Sequence, residues 1–257
     1  MNNNIFFILC HQDDEFGLFN VIEKATKKQK NVFVIYLTSG LKTKNQNNKN
    51  KLLQRDKESL KVLLRLGVSR NNIFFLGKKF NIPVYNLYKN LKIVYQEINK
   101  FLKKHQGKHI IYTHSWEGGN EDHDACFVIV KKIMYQNLKI MKAFEFSHYH
   151  NHKTKILPFK VQNFISDKKK IYKTKIKFYD KIKYINYLFN YTSQLYLWLP
   201  IFPFVIIKIL MNDYGNLKMI KKNLTIKKPH KGILLYEKLR TKKYSYFKKY
   251  FIDFLSN

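Results

Sequence analysis

Five largely apolar runs of strand length punctuate the first 150 residues: 5–10, 31–37, 72–76, 109–113 and 140–146. Continuous apolar runs, rather than alternating ones, are what strands buried on both faces look like. Helical spacing fills the gaps between them. Leu18, Phe19, Ile22 and Ala25 make one apolar stripe, residues 52–66 a second, residues 85–105 a third, and Cys126, Ile129, Val130, Ile133 and Met134 a fourth. Asp13, Asp14 and Glu15 fall in the predicted first turn of the first helix, where carboxylates suit the helix dipole. Gly67 stands where a helix C-terminus wants a left-handed residue, and Asn120 is a good N-cap. Residues 42–51 are polar and read as a mobile loop over the strand ends. Strand–helix alternation of this kind predicts an α/β domain with a mostly parallel sheet.

The pattern changes beyond about residue 155. Residues 171–179 read as a strand and 179–197 as a helix. Residues 195–207 are unbroken apolar sequence apart from Pro200 and Pro203. That falls short of the roughly 20 residues a spanning helix needs. We expect this segment to pack on the main domain, or to touch an anionic membrane peripherally through flanking lysines with Tyr196 and Trp198. The lysine-rich tail after Glu237 reads as a solvated terminal helix. The expected organisation is a core over 1–155 and an extension over 156–257 that packs on it and completes the domain.

Composition changes this picture at one point. Lys and Arg number 49 against 17 acidic residues, a formal net charge of +32. Charge of that size first suggests nucleic acid. Yet only Arg55, Arg65, Arg70 and Arg240 are arginine, the side chain best suited to phosphates and base edges. Alanine occurs only at positions 25, 125 and 143, while Lys, Asn, Ile, Phe and Tyr abound. This is the drift of an AT-rich coding sequence. The lysines therefore read as a solvated surface, and no nucleic-acid partner is expected. The two cysteines, Cys10 and Cys126, make no disulfide framework and read as buried small hydrophobes. With no secretory signal at the N-terminus, a cytoplasmic location is expected.

Two polar clusters carry the candidate chemistry. His11-Gln12-Asp13-Asp14-Glu15 follows the first apolar run, and Gly118-Gly119-Asn120-Glu121-Asp122-His123-Asp124 follows the fourth. In a parallel sheet the C-terminal strand ends share one edge, so clusters far apart in sequence can face each other there. His11, Asp14 and His123 form a set of two imidazoles and one carboxylate, the donor set of a catalytic zinc site with a position open to water. Asp13 precedes Asp14, so its side chain points elsewhere and suits a general base. Trp116 suits stacking on a sugar ring and equally suits packing. His148, His150 and His230 could line a pocket, with structural roles expected for at least two.

These residues resemble the signatures of the PIG-L/LmbE-like zinc-dependent N-acetylglucosamine deacetylases. His11 to Glu15 is similar to the family's His-Pro-Asp-Asp-Glu, and Gly118 to Ala125 to its Gly-Gly-His-Pro-Asp-His-Asp-Ala. Leu76-Gly77, Ile82-Pro83, an Arg-x-x-Glu at Arg55 and Glu58, and Pro229-His230-Lys231-Gly232 also look familial. The resemblance covers about residues 5–150. It implies a Rossmann-like three-layer fold with a C-terminal appendage, and removal of an N-acetyl group from an amino sugar or glycoconjugate. It also implies a metal, zinc or another divalent ion such as Fe2+, on His11, Asp14 and His123, with Asp13 as base. Arg55, Trp116 and His230 become the expected substrate contacts. Three positions depart from the pattern. Gln12 replaces proline, Val84 replaces an aspartate after Ile-Pro, and Asn120 replaces a histidine credited with steadying the tetrahedral intermediate. The Asn120 amide can still donate to an oxyanion. The rival readings are a sugar-binding protein of the same fold with little catalysis, and a protein that binds other surfaces through its lysines.

Overall fold

The computed structural model of the chain describes residues 3–28, 30–42, 49–154, 158–165 and 170–256. Its centre is a sheet of seven strands, β1 (Asn4–Leu9), β2 (Asn31–Tyr36), β3 (Ile73–Phe75), β4 (His109–His114), β5 (Ile140–Phe146), β8 (Ile171–Tyr172) and β9 (Leu217–Met219). They lie in the order β3-β2-β1-β4-β5-β9-β8. The first five strands are parallel, and β9 pairs antiparallel with both β5 and β8. A separate two-stranded pairing joins β6 (Tyr149–His150) to β7 (Lys160–Val161).

The helices are α1 (Phe19–Lys27), α2 (Lys49–Arg65), α3 (Leu76–Lys79), α4 (Leu91–Lys104), α5 (Glu121–Gln136), α6 (Phe178–Leu188), α7 (Leu195–Trp198), α8 (Phe202–Leu210), α9 (Leu235–Leu239) and α10 (Tyr244–Ser256). Strand β1 shows why they form two layers. Phe6, Ile8 and Cys10 point to a core with Val94 and Ile98 of α4, Ile129 and Ile133 of α5, and Phe247 and Phe251 of α10. Ile5, Phe7 and Leu9 point to a second core with Ile22 of α1, Val62 of α2, Leu188 of α6 and Val205 of α8. Every residue of β1 is buried, which is the condition its unbroken apolar run encodes.

Several elements differ from their sequence readings. The acidic cluster does not open α1. Asp14–Gly17 is a short 3-10 turn, and α1 begins only at Phe19. The third helical stretch starts at Leu91, because Tyr85 takes a φ of 67° and gives its N–H to Asp122. The expected strand over 171–179 is two residues long, and the expected helix over 179–197 breaks after Leu188. The tail after Glu237 is not merely solvated. Helix α10 buries Tyr244, Phe247, Phe251, Phe254 and Leu255, an i, i+3, i+7 stripe against α5. Of the expected loop over 42–51, residues 43–48 lie outside the described residues, and α2 already begins at Lys49.

Among the described residues no single helix is long and apolar enough to cross a membrane. The apolar stretch over 195–207 turns by 93° between Thr192–Trp198 and Phe202–Leu210. It buries Trp198 and Val205 but leaves Leu195, Tyr196, Leu197, Leu199 and Ile207 exposed.

Candidate metal centre

Strand β1 lies between β2 and β4, so the chain leaves β1 on one side of the sheet and returns through β4 on the other. Residues just past these two strand ends face a common crevice, the usual ligand position in such sheets. Past β1 the chain turns sharply: Asp13 has a φ of 134°, a conformation rare for a side chain with a Cβ. This turn folds the Asp14 carboxylate back over the strand end, where Oδ2 accepts from the backbone N–H groups of Cys10 (3.0 Å) and His11 (2.6 Å). Past β4 the loop needs two glycines. Gly118 takes a φ of 69°, and a Cβ on Gly119 would sit 1.9 Å from the Tyr149 carbonyl oxygen. Asn120 then caps α5, its Oδ1 accepting from Asp122 N at 2.9 Å.

His11, Asp14 and His123 converge: their ligand atoms lie within 4.8 Å of one another, and all three residues are buried. His123 Nε2 is 3.2 Å from Asp14 Oδ1, and His11 Nδ1 is 3.5 Å from Asp14 Oδ2. Asp122 turns the His11 ring, with His11 Nε2 3.1 Å from Asp122 Oδ2. Asp122 is itself fixed by the N–H groups of Tyr85 and Leu87, so Nδ1 is the ring atom left facing Asp14. Burial opposes charge on Asp14, but His114, His123 and His11 hold its carboxyl well below the usual carboxylate range. Burial also works against the His11 imidazolium; Asp14 and the bond to Asp122 overcome it and raise the ring to about 10.

Two further imidazoles surround Asp14. His114, the last residue of β4, stacks on His123 at 3.9 Å between ring centres and puts Nε2 3.1 Å from Asp14 Oδ2. His148, just past β5, puts Nε2 3.7 Å from Asp14 Oδ1. Asp14, His114 and His148 form a second convergent set. Burial and the neighbouring His123 push His114 down to about 3, and burial pushes His148 well below its ordinary value, so both rings are neutral. Both ring nitrogens of His123 and of His148 are buried with no hydrogen-bond partner among the described residues. Unpaired buried nitrogens are costly unless something binds them. A divalent cation fits this donor set of imidazole nitrogen and carboxylate oxygen.

Asp13 faces away from Asp14. Its Oδ1 lies 3.4 Å from Arg55 Nη2, and its Oδ2 accepts from Trp198 Nε1 at 3.1 Å. Burial raises the Asp13 carboxyl above its ordinary value against the pull of Arg55. Arg55 is buried and also donates to the carbonyls of Gly40 (2.7 Å) and Gln12 (2.9 Å), so it holds the turn as well as the carboxylate. Glu15 anchors the same turn, accepting from the hydroxyls of Tyr36 and Tyr191.

The other expected site residues are placed less directly. Asn120 also hydrogen-bonds the Tyr149 hydroxyl, whose pKa burial pushes up, leaving a neutral O–H near His123. Trp116 packs against Phe127, Tyr244 and Phe251 and donates to the Lys227 carbonyl, which is the packing alternative. His230 lies beside His152, its Nδ1 2.8 Å from the Lys231 carbonyl oxygen, outside the cluster around Asp14. Sequence reasoning gave His114 and Tyr149 no role, allowed His148 only a place in a pocket lining, and set Trp198 on a membrane-facing surface, whereas it is buried and donates to Asp13. The first three sit at or just past strand ends, which was a usable signal; Trp198 offered none.

Residues 6–134 match the PIG-L family model, described as GlcNAc-PI de-N-acetylase. No curated protein matches the chain. Among solved structures, a deacetylase of teicoplanin biosynthesis in complex with bog aligns at a TM-score of 0.62 and 13% identity, covering 84% of this chain and 97% of that one. The N,N'-diacetylchitobiose deacetylase of Pyrococcus horikoshii with its inhibitor MPG aligns at 0.60 and 15%, covering 85% and 84%. The zinc-inhibited form of the teicoplanin deacetylase Orf2 aligns at 0.58 and 11%, covering 86% and 100%. At such identities the likeness establishes the fold: an α/β three-layer architecture on a mostly parallel sheet.

Proposed function

Since the chain belongs to the PIG-L family, we propose that it is a metal-dependent hydrolase that removes the N-acetyl group from an N-acetylglucosamine-type sugar or glycoconjugate. The observation that carries this reading is the convergence of His11, Asp14 and His123, with unpaired buried imidazole nitrogens, beside a separately held carboxylate at Asp13. His11, Asp14 and His123 would hold the ion, zinc or another divalent metal such as Fe2+. When bound, such an ion supplies a Lewis acid for the amide carbonyl and lowers the pKa of a water at the site.

The chain supplies the rest. Asp13 takes the proton from the attacking water and returns it to the leaving amine. Arg55 and Trp198 fix each of its oxygens, so the carboxylate meets the water in one orientation. The Tyr149 hydroxyl, kept protonated by burial and bonded to Asn120, serves as a donor to the developing oxyanion. Asn120 spends its Oδ1 acceptor on the α5 cap and assists through its Nδ2 donor, which bonds the Tyr149 hydroxyl and so orients it. Atoms balance as amide plus water giving free amine plus acetate.

The test is metal analysis together with acetate release from a panel of N-acetylglucosamine conjugates. Asp13→Asn should keep its metal and lose about 10²–10⁴-fold in turnover. His123→Ala should lose the metal. Full activity in Asp13→Asn, or a wild-type protein that retains no metal, would overturn the assignment.

A further inference from the structure

Eleven of the twenty-two exposed large apolar side chains among the described residues lie between positions 178 and 211. Phe178 is 75% exposed, Tyr179 78%, Tyr196 86% and Met211 73%. Single exposed apolar side chains are ordinary, but a contiguous group of them marks an interaction surface. Their arrangement is ordered. On α6, Phe178 and Ile182 lie one turn apart on one face, while Tyr184 and Leu188 fill the core on the other. On α8, Ile207, Leu210 and Met211 stand opposite the buried Val205 and Ile209. The two helices pack on each other, and α7 makes the corner between them with Tyr196 and Leu199 outward.

The chemistry of the patch selects its partner. Aliphatic side chains are mixed with tyrosines, which suit a boundary between hydrocarbon and water. Lys175 and Lys177 lead into Phe178, both exposed and without an ion pair among the described residues. The segment from Lys170 to Lys183, which leads into and forms the start of the patch, carries six lysines against one acidic residue, Asp180. A protein partner with an apolar face would not call for this excess of cations. An anionic bilayer surface supplies both the apolar depth and the opposite charge. Among the described residues no single helix is long and apolar enough to span, and the 93° bend keeps α7 and α8 from forming one rod.

We propose that the outer surface of α6, α7 and α8 docks on anionic lipid bilayer, with Tyr196 and Leu199 entering the acyl boundary. This inference is independent of the deacetylase reading, because association is read without turnover. Wild-type protein and Tyr196→Trp are mixed with phosphatidylcholine–phosphatidylglycerol vesicles, with and without bromine on the upper acyl chain. Brominated lipid should quench and blue-shift the new tryptophan, beyond any change in wild type, whose Trp198 is buried and whose Trp116 is partly buried against Phe127 and Phe251 in the other core. A Tyr196→Asp/Leu199→Asp double variant, checked for native circular dichroism, should partition about tenfold or more weakly. If vesicles bind Tyr196→Trp without quenching it, or bind the double variant as well as wild type, docking runs through lysines elsewhere and the proposal is wrong. Lipid-free self-association that the double variant abolishes would assign the face to a second copy of the chain and overturn it equally.

Discussion

At the scale of single residues, the candidate site works by dividing labour between two adjacent carboxylates. The strained turn at Asp13 sends the two side chains in different directions. Asp14 collects imidazoles, whereas Asp13 collects Arg55 and Trp198. The indole contact is open to test. Trp198→Phe keeps the ring packing against Phe16 and Tyr191 but removes the N–H that fixes Asp13 Oδ2. Turnover should fall about 10- to 100-fold with metal content unchanged, as misplacement of a reacting group costs rate. Metal loss in that variant would mean the indole holds the fold rather than the base. Glu117 makes a second test. It accepts from the backbone N–H groups of His148 and Tyr149 and from the hydroxyls of Ser115 and Ser147, tying the β4 and β5 loops together. Burial raises its carboxyl from 4.5 to about 7. The folded state then holds this proton more tightly than the unfolded chain does. Its stabilising contribution is complete below about pH 4.5 and is lost as pH rises through about 7, on the order of 3 kcal/mol in all. Glu117→Gln should flatten that slope, since an amide keeps the acceptor facing the two backbone N–H groups. Urea midpoints at pH 5 and pH 8 measure it, and equal slopes in both proteins would exclude Glu117 as the group responsible. Asp124, also raised by burial, leaves part of the slope in place.

At the scale of elements, the sequence pattern located the parallel strands well, because a strand buried on both faces leaves a run that no surface element shares. Boundaries were less legible where one side chain decides them. Asp122 draws the Tyr85 and Leu87 amides to itself and so delays α4 to Leu91. Glu58 plays a comparable part for the extension. It accepts from Thr192 Oγ1, Ser193 N and Ser193 Oγ, pinning the turn that leads into α7 onto α2. Glu58→Ala should destabilise the protein by roughly 1–3 kcal/mol, as three partly exposed donors lose a charged acceptor. Hydrogen exchange should quicken first at residues 192–198. Unchanged protection there would show that α7 is held by its apolar contacts alone.

At the scale of the whole molecule, the extension supplies part of each core. Ile220, Tyr236, Phe247 and Phe251 close one face of the sheet, and Leu188, Val205, Tyr214 and Leu217 close the other. Strand β9 covers the edge of β5. We therefore expect residues 1–155 alone to show no cooperative thermal transition, and the full chain to show a single one by near- and far-ultraviolet circular dichroism. A cooperative melt of 1–155 would make the extension a separate unit. The sequence by itself determined the fold class, the strand order of business along the first 150 residues and the two clusters that meet at the sheet edge. It could do so because burial on both faces and the common direction of parallel strands act through local pattern and topology. Tertiary structure alone decided that His114 and His148 join Asp14, that Trp198 reaches back from residue 198 to residue 13, and that α10 is a core helix under its lysines. His114, His148 and Trp198 share no period or motif with Asp13 and Asp14, and the stripe of α10, though periodic, does not name the surface it covers; only the packing of one layer on another brings these residues together.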